Sequence, residues 1–173
     1  MTRPSTQLVS VAGVIVDDEQ RALLVRRRDN GEWQIPGGVL ELDEDVFAGL
    51  RREVYEETGL RVEPLRLSGV YKNMTLGVVA LTFLCRSVDG TLTTSDETSD
   101  WAWIASAQVG QHMEEAFALR VLDALESPVS IPIRTHDGHR LLSPAPASLA
   151  TGLIHQARPS NVRAVKFAGP DPE

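Results

Sequence analysis

The stretch that decides the fold is GVLELDEDVFAGLRREVYEETGL, residues 38–60. It predicts a helix over residues 43–58, with Asp43 as the N-cap and Gly59 just past the end. Aspartate is a favoured N-cap, and glycine commonly follows the last helical residue. One apolar stripe runs along this helix at positions i, i+3 and i+7, and it consists of Phe47, Leu50 and Val54. We expect the stripe to pack against the core.

Three glutamates, Glu53, Glu56 and Glu57, lie at i, i+3 and i+4 beside the apolar stripe. This spacing brings side chains together on one face of a helix. Like charges so arranged destabilise a helix, and acids near its C-terminal end oppose its dipole. A divalent cation reverses this effect, because Mg²⁺ takes carboxylate oxygens as ligands. On spacing alone, two interpretations stay open: a solvated acidic face and a metal site.

The acidic charge of the chain is concentrated around these glutamates. The sequence has 17 Lys and Arg against 24 Asp and Glu, a net charge of −7. Residues 41–57 hold seven acids and two bases, a net −5, which leaves −2 for the rest of the chain. A net-acidic chain lacks the basic patch that binds nucleic-acid phosphates, so we expect no nucleic-acid partner.

Length and cysteine content restrict the class of protein further. A chain of 173 residues is expected to bury a core of its own. Cys85 is the one cysteine, which excludes an internal disulfide and predicts a buried thiol. The first residues lack the apolar region of a signal peptide, and no apolar run approaches the roughly 20 residues that span a bilayer. We expect a soluble, cytoplasmic protein with no membrane partner.

Short apolar segments separated by turn residues predict a mixed order of strands and helices. The predicted strands are residues 8–16, 22–26, 33–35, 62–71, 78–85 and 101–104, with a turn at Asp89-Gly90 and a second helix over 114–125. No βαβ unit repeats along the chain. The fold class is therefore predicted as α+β, with a mixed β-sheet between helices in an α/β/α sandwich.

The composition changes after Pro128. Residues 129–134 and 139–142 flank Asp137-Gly138, a strong signal for a β-hairpin, and a proline-rich tail follows. We divide the chain into a domain of residues 1–127 and a C-terminal extension of residues 128–173. The extension either covers the core or is partly disordered.

Two features of the predicted hairpin suggest further roles. Its edge offers a surface for pairing in a homodimer. His136 and His139 flank the turn, and we interpret them as hairpin residues rather than metal ligands.

The pattern of residues 38–60 resembles the signature box of the Nudix hydrolases. All its defined positions are filled: Gly38, then Glu44 after five residues, then Arg52-Glu53-Val54-x-Glu56-Glu57-x-Gly59-Leu60 after seven more. The preceding segment WQIPGG, residues 33–38, is similar to the usual approach to the box. Asp43 departs from the glycine that many members carry, but it lies outside the defined positions. The resemblance in layout covers residues 8–126.

The resemblance implies a mixed sheet between helices and makes residues 1–127 a Nudix catalytic domain. It implies hydrolysis of a nucleoside diphosphate linked to another moiety, with Mg²⁺ as cofactor and Mn²⁺ as its substitute. Glu53, Glu56 and Glu57 are implied as metal ligands, with the carbonyl of Gly38 as a further one. Metal ions neutralise a polyphosphate and lower the pKa of bound water, which suits this reaction.

The resemblance also implies supporting residues. Arg52 is implied to orient a glutamate, Glu53 first, through a charge-assisted hydrogen bond. Glu44 is implied to support the loop before the helix, and Glu41 fills a place where the family often has glutamate.

The general base is less fixed, since Nudix enzymes recruit it from different places. Glu97 lies six residues before Trp103, where members often have a glutamate that closes over the metals. We predict Glu97 as base and further ligand, with Glu53 or Glu56 as the alternative base. For substrate binding we select Arg26, Arg28 and Lys72. The alternative is that these residues are solvated surface charges without a functional role.

The substrate is inferred by elimination. Motifs of the NADH pyrophosphatase and coenzyme A branches are missing, and residues 75–78 lack the proline and tyrosine that suggest ADP-ribose and dinucleoside polyphosphates. The chain is then most similar to the branch that converts (deoxy)nucleoside triphosphates to monophosphates and pyrophosphate. The alternatives are an ADP-ribose or ADP-sugar pyrophosphatase and a Nudix module that binds a nucleotide without cleaving it.

Overall fold

A computed structural model describes residues 6–126 and 130–143 of the chain. Its elements are β1 Leu8–Ile15, β2 Arg21–Arg27, β3 Trp33–Gln34, β4 Gly37–Val39, α1 Val46–Thr58, β5 Leu60–Asn73, β6 Val78–Gly90, β7 Thr98–Ala105, a 3₁₀ turn Ser106–Gln108, α2 Val109–His112, α3 Glu115–Leu125, β8 Ile133–His136 and β9 Leu141–Ser143. The proline-rich tail lies outside these residues. No helix among those described is long and apolar enough to cross a membrane.

The strands form a mixed six-stranded sheet and a smaller three-stranded one. The order is β4-β1-β6-β5-β8-β9 in the large sheet and β3-β2-β7 in the small one. Strand β1 runs parallel to β6 and antiparallel to β4, so it lies one strand in from the edge of the large sheet. The α+β class predicted from the sequence is confirmed.

Successive side chains of β1 enter two different cores, as alternation along a strand requires. Val11 and Ile15 pack in the cluster that holds Leu50 and Val54 of α1. Ala12 and Val14 pack in the other cluster, with Val109, Val121 and Ala124 of α2 and α3. The large sheet is therefore covered by α1 on one face and by α3 on the other.

The start of α1 differs from the prediction. The N-cap is Asp45, whose Oδ1 accepts hydrogen bonds from the N–H groups of Phe47 and Ala48 at 2.9 Å each. Asp43 as the N-cap is therefore wrong, and it lies exposed in the preceding loop. Gly59 ends the helix as predicted, with a left-handed φ of 75° that favours glycine.

The predicted turn at Asp89-Gly90 is also wrong. Strand β6 continues through both residues, with Gly90 opposite Leu60 and Asp89 opposite Arg61 of β5. Gly90 has a φ of 102°, and a Cβ there would collide with the carbonyl oxygen of Gly59. The glycine therefore serves close packing of strand against helix end rather than a change of chain direction.

The predicted hairpin is present and extends the large sheet. Strand β8 pairs antiparallel with β9 and parallel with β5, where Val70 stands opposite Ile133. The Asp137 carboxylate accepts from the N–H groups of His139 and Arg140 at 2.8 Å, which fixes the turn. The division of the chain at residue 127 stays a prediction.

Candidate active site

The end of α1 and the loop before β7 enclose an acidic cavity. Its volume is about 270 Å³, and its lining consists of Glu53, Glu56, Glu57, Ser95, Asp96 and Glu97. The three helix glutamates and Glu97, selected from the sequence at a separation of 40 residues, thus share one cavity. Asp96 was missed, because nothing in its local sequence distinguishes it from an ordinary turn residue. We call this cavity the acid pocket.

Glu57 is the most deeply buried carboxylate of the acid pocket, 5% exposed. Its Oε2 accepts one hydrogen bond of 2.8 Å, from the N–H of Gly37. Burial, with added repulsion from Glu53 and Glu97, raises its pKa to about 7. Removal from water disfavours the charged form, and one N–H donor does not compensate for it. Among the described residues no cation forms an ion pair with Glu57; the nearby Arg27 pairs with Asp29, and its charge only partly opposes the rise in the pKa of Glu57.

The loop that carries Glu97 is tied to α1. The Thr98 hydroxyl donates to the carbonyl oxygen of Glu57 at 2.8 Å, and the Ser95 hydroxyl accepts from the N–H of Glu97 at 3.1 Å. The N–H of Arg28 donates to the carbonyl oxygen of Glu97 at 2.9 Å. These bonds hold the backbone of Glu97 beside the helix and leave its carboxylate exposed.

Glu53 lies against β4. A Cβ at Gly38 would collide with its carboxyl group, so any other residue at 38 would force this carboxylate to move. Burial raises the pKa of Glu53, and the charge of Arg52 opposes the increase. The box glycine thus has a steric role beside its implied role as a carbonyl ligand.

Arg52 connects the acids of the helix with the loop before it. Its Nη1 donates to Glu53 at 2.9 Å and to Glu56 at 3.2 Å. Its Nε and Nη2 donate to the two carboxylate oxygens of Glu44 at 3.0 and 2.6 Å. Arg52 does contact Glu53 as expected, but its two-pronged partner is Glu44, and two parallel bonds fix the arginine more firmly than one.

Glu44 supports the loop as well as the arginine. It accepts the N–H of Glu41 at 2.9 Å, and its hydrogen bond with Arg52 lowers its pKa to about 2. Glu41 takes part through its backbone, while its own side chain is exposed. The sequence analysis did not single out Gly49. A Cβ at this residue would lie 2.7 Å from a Glu44 oxygen, so the glycine leaves space for that carboxylate.

The predicted cationic residues separate into two groups. Arg28 lines a second cavity of about 400 Å³ together with Arg27, and this cavity shares Glu57, Asp96 and Glu97 with the acid pocket. The register of β2 against β7 shifts between Arg26 and Arg27. Such a bulge redirects side chains, which explains how neighbouring arginines come to face the acids.

Arg26 and Lys72 lie elsewhere. Arg26 donates from Nε to the carbonyl oxygen of Gly31 at 2.9 Å. Lys72, near the end of β5, bonds the side-chain oxygen of Gln7. Neither residue lines the two acidic cavities. A role for either in substrate binding stays a prediction.

The chemistry of the donors in the acid pocket fits a hard divalent cation. The carboxylates that line this pocket supply only oxygen, the ligand type that Mg²⁺ prefers, whereas Gly38, whose carbonyl is the further implied ligand, is not among its lining residues. Across residues 6–126 and 130–143, no three acidic, histidine or cysteine side chains already stand in a coordinating arrangement. Glu53, Glu56 and Glu57 surround the cavity, and Arg52 holds Glu53. The donor atoms are therefore of the type that this ion takes. To coordinate it, the glutamate side chains would have to rotate toward the cavity.

The remaining candidates are structural. Cys85 is buried, and burial raises the pKa of its thiol to about 12, so it is inert as expected. His136 is buried in β8, while His139 is exposed beyond the turn. The interpretation of both histidines as hairpin residues agrees with this placement.

Comparisons with known proteins agree with this fold and site. The family described as the NUDIX domain matches residues 6–125. A MutT-like protein of Streptomyces ambofaciens is 49% identical over 141 residues, which cover 82% of this chain and 91% of that protein. An ADP-ribose pyrophosphatase of Methanocaldococcus jannaschii is 32% identical over 99 residues, 53% of this chain and 58% of the archaeal protein.

A solved structure supports the fold. The crystal structure of an ADP-ribose pyrophosphatase from Streptococcus suis has a TM-score of 0.63 at 24% identity and covers 76% of this chain and 100% of that one. The family match and the MutT-like relative indicate a hydrolase that acts on pyrophosphate bonds. The chain belongs to the Nudix hydrolase family, whose members act on nucleoside diphosphate derivatives.

Proposed function

We propose that this protein hydrolyses the pyrophosphate linkage of a (deoxy)nucleoside triphosphate with Mg²⁺, giving a nucleoside monophosphate and pyrophosphate. The observation that carries this proposal is the acid pocket, where the buried Glu57 faces Glu53, Glu56 and Glu97 and, within the part of the chain that the structure describes, forms no ion pair. A polyphosphate is negative as well, so an acidic site accepts it only with a cation between them.

In this proposal the metal ligands are Glu53, Glu56, Glu57 and the Gly38 carbonyl, with Glu97 as a further one. Mg²⁺, or Mn²⁺ in its place, supplies neutralisation of the phosphate charge and acidification of water when bound. Arg52 acts as a positioning residue, because its bonds to Glu44 and Glu53 fix the direction of the Glu53 carboxylate.

Glu97 is proposed as the general base that accepts a proton from the attacking water. Its backbone is held on both sides while its carboxylate stays exposed, so the side chain can reach the water. Glu53 is the weaker alternative, since Arg52 already occupies one of its oxygens at 2.9 Å. Glu56 is the other alternative base. Its side chain is 58% exposed, and its contact with Arg52, at 3.2 Å, is longer than that of Glu53.

A second candidate function is hydrolysis of ADP-ribose or another ADP-sugar. The similarity to the archaeal ADP-ribose pyrophosphatase over 99 residues favours it, whereas residues 75–78 lack the marks expected for that branch. A binding module without activity is disfavoured, because the box retains its arginine and all its glutamates.

A nucleotide panel with product identification tests this proposal. Purified protein with Mg²⁺ is incubated with deoxynucleoside triphosphates, ribonucleoside triphosphates and ADP-ribose, and the products are separated. We expect a monophosphate and pyrophosphate from a triphosphate. AMP and ribose phosphate from ADP-ribose alone would establish the second candidate, and release of no product from any substrate would contradict both.

We further propose that the hairpin belongs to the catalytic unit, because β8 pairs with β5 at the edge of the large sheet. A chain that ends after residue 143 is expected to keep turnover. A chain that ends after residue 127 lacks both β8 and β9, and we expect it to lose stability and turnover. Equal stability and turnover of the two shortened chains would instead favour a boundary at residue 127.

The oligomeric mass of each shortened chain, measured by light scattering, tests the predicted homodimer. The location in the cytoplasm also stays a prediction.

A further inference from the structure

A buried arginine on α3 is unexplained by the acid pocket. Arg120 is 8% exposed and lies on the face of α3 that packs on the sheet. Its guanidinium lies over the rings of Phe117 and Tyr71, with its Cζ atom 4.7 and 5.2 Å from their centroids. The two rings orient the guanidinium, but they leave its N–H donors without acceptors.

The hydrogen bonding of Arg120 is incomplete. Within the described part of the chain, Nε has no hydrogen-bond partner and no ion pair includes this residue. Burial lowers its pKa to about 10. A buried charge is costly unless it is paired and hydrogen-bonded. The next charged residue of α3 differs, since Asp123 bonds both Tyr71 and Arg134.

The one side-chain hydrogen-bond contact that Arg120 makes with the described residues does not solve this deficit. Its Nη2 lies 3.3 Å from Nε2 of His136, while Nδ1 of the same ring accepts the N–H of Gly138 at 3.1 Å. A neutral imidazole has one acceptor nitrogen, so it cannot accept both bonds. If Nδ1 accepts, Nε2 carries the proton and faces a guanidinium that also donates. Arg120 is therefore short of acceptors in either tautomer.

Arg120 faces a cavity that adjoins the acid pocket. The cavity has a volume of about 130 Å³, and Gln34, Gly37, Gly38, Phe117 and Arg120 contribute to its lining. Gly37 bonds Glu57, and Gly38 lies against Glu53, so β4 connects the lining of this cavity with two glutamates of the acid pocket. Phe117 also lines a wider groove of about 440 Å³ with Trp33 and His112.

We propose that Arg120 is a specificity-determining residue, which donates from its guanidinium to a pair of adjacent acceptors on the moiety attached to the diphosphate. This inference rests on the proposed function, since it assigns a subsite to the same substrate. Two sources carry such a pair: the O6 and N7 edge of a guanine, which arginine binds in a two-pronged manner, and the oxygens of a phosphate.

The structure favours the base edge. Phe117 lines both the cavity of Arg120 and the wider groove, where Trp33 adds a second aromatic ring, and bases stack on such rings. Adenine presents an amino donor where guanine presents O6, so adenine offers Arg120 one acceptor, N7, where guanine offers two. A site built around such a donor discriminates strongly against an analogue that lacks the acceptor.

The experiment uses the full chain without metal, so that binding is measured apart from turnover. GMP, AMP and inorganic phosphate are titrated by calorimetry into the wild type, Arg120→Met and Arg120→Lys. Arg86→Met is the matched control, because Arg86 is an exposed arginine paired with Glu63. Thermal melting of each variant checks that it is folded, and the lysine variant keeps the charge between the rings if the methionine variant unfolds.

We expect the wild type to bind GMP about 5- to 150-fold more tightly than AMP, Arg120→Met to lose that ratio, and Arg120→Lys to lose most of it. Equal weakening of GMP, AMP and phosphate would support the binding role and assign the acceptors to phosphate. Unchanged affinities in a folded variant would overturn the inference and leave Arg120 a packing residue. If GMP binds selectively while the nucleotide panel shows no hydrolysis, the proposed function fails and the subsite stands.

Discussion

Two regions of the molecule bury a carboxylate on a helix, and they treat it in opposite ways. On α3, Asp123 accepts the Tyr71 hydroxyl at 2.7 Å and bonds Arg134 through both oxygens. On α1, Glu57 accepts one N–H from Gly37, and its pKa is raised to about 7, first by burial. The first carboxylate is compensated within the protein, and the second is not.

This difference separates a structural charge from a functional one. A buried ion pair that is fully hydrogen-bonded needs nothing from outside, and removal of one partner leaves an unpaired buried charge. A buried carboxylate without compensation destabilises the fold unless a ligand neutralises it. We therefore expect substitutions on α1 to affect turnover and substitutions on α3 at Asp123 to affect stability.

The largest expected effect is on turnover in Glu57→Gln. Because this change removes a proposed metal ligand, we expect kcat to fall about 1,000-fold. The metal-free fold is expected to be as stable as the wild type or more stable, since a buried uncompensated charge is removed. Steady-state kinetics and urea unfolding measure the two quantities. Glu19→Gln, on an exposed glutamate, is the matched control, and equal turnover in both variants would remove Glu57 from the site.

The opposite result is expected for Asp123→Asn. The change leaves the Arg134 guanidinium, with its partly buried side chain, without a charged partner, so the free energy of unfolding should fall by about 3 kcal/mol. The kcat of the folded enzyme should stay unchanged. Asp18→Asn, on an exposed aspartate, controls for the charge change. A loss of turnover at unchanged stability would break the comparison between the two carboxylates.

A smaller effect is expected from the pH dependence of His136. Burial first, and then the charge of Arg120, lowers its pKa to about 4, against a weak opposing effect of Asp137. The folded state thus keeps His136 neutral, while the unfolded chain takes up a proton near its ordinary pKa. Stability is present in full above about pH 6.5 and declines as the pH falls, by about 2 kcal/mol between pH 7 and pH 5.

Urea unfolding of His136→Gln at both pH values measures this contribution. We expect the variant to lose that part of the pH dependence, whereas His139→Gln, on a histidine with a 72% exposed side chain, keeps it. The same slope in His136→Gln and in the wild type would show that His136 takes up its proton equally in the folded and unfolded states.

The smallest effect distinguishes the two aspartates before α1. Asp45→Ala removes the hydrogen bonds to Phe47 and Ala48, so it should lower the free energy of unfolding by about 1 kcal/mol. Asp43→Ala changes an exposed loop residue and should cost less than about 0.5 kcal/mol. Thermal melts of the two variants compare them directly, and equal losses would contradict Asp45 as the N-cap.

The sequence predicted the parts of the fold that depend on local pattern. The glutamates of α1 share one cavity because i, i+3 and i+4 positions lie on one face, and Gly59 ends the helix because φ there is left-handed. The N-cap was misplaced by two residues, since Asp43 and Asp45 are locally equivalent. The bond between Glu44 and Arg52 keeps Glu44 in the loop, so the helix begins after it, and this contact is not visible in the local sequence.

Other features depend on contacts between distant residues. Asp89-Gly90 has the composition of a turn, but pairing with the residues after α1 keeps it in a strand. Arg27 lines the cavity that adjoins Glu57 and follows a bulge that the sequence does not mark. Arg120 is indistinguishable by pattern from a surface arginine on a helix, and only the burial of its face of α3 reveals it.

Calorimetric titration with Mg²⁺ tests the central claim most directly, which is that the carboxylates of the acid pocket, with the buried Glu57 among them, hold the metal for hydrolysis. The claim predicts saturable Mg²⁺ binding to the wild type and to Glu19→Gln, and loss of that binding in Glu57→Gln with the fold intact. Equal Mg²⁺ binding by the wild type and Glu57→Gln would contradict it.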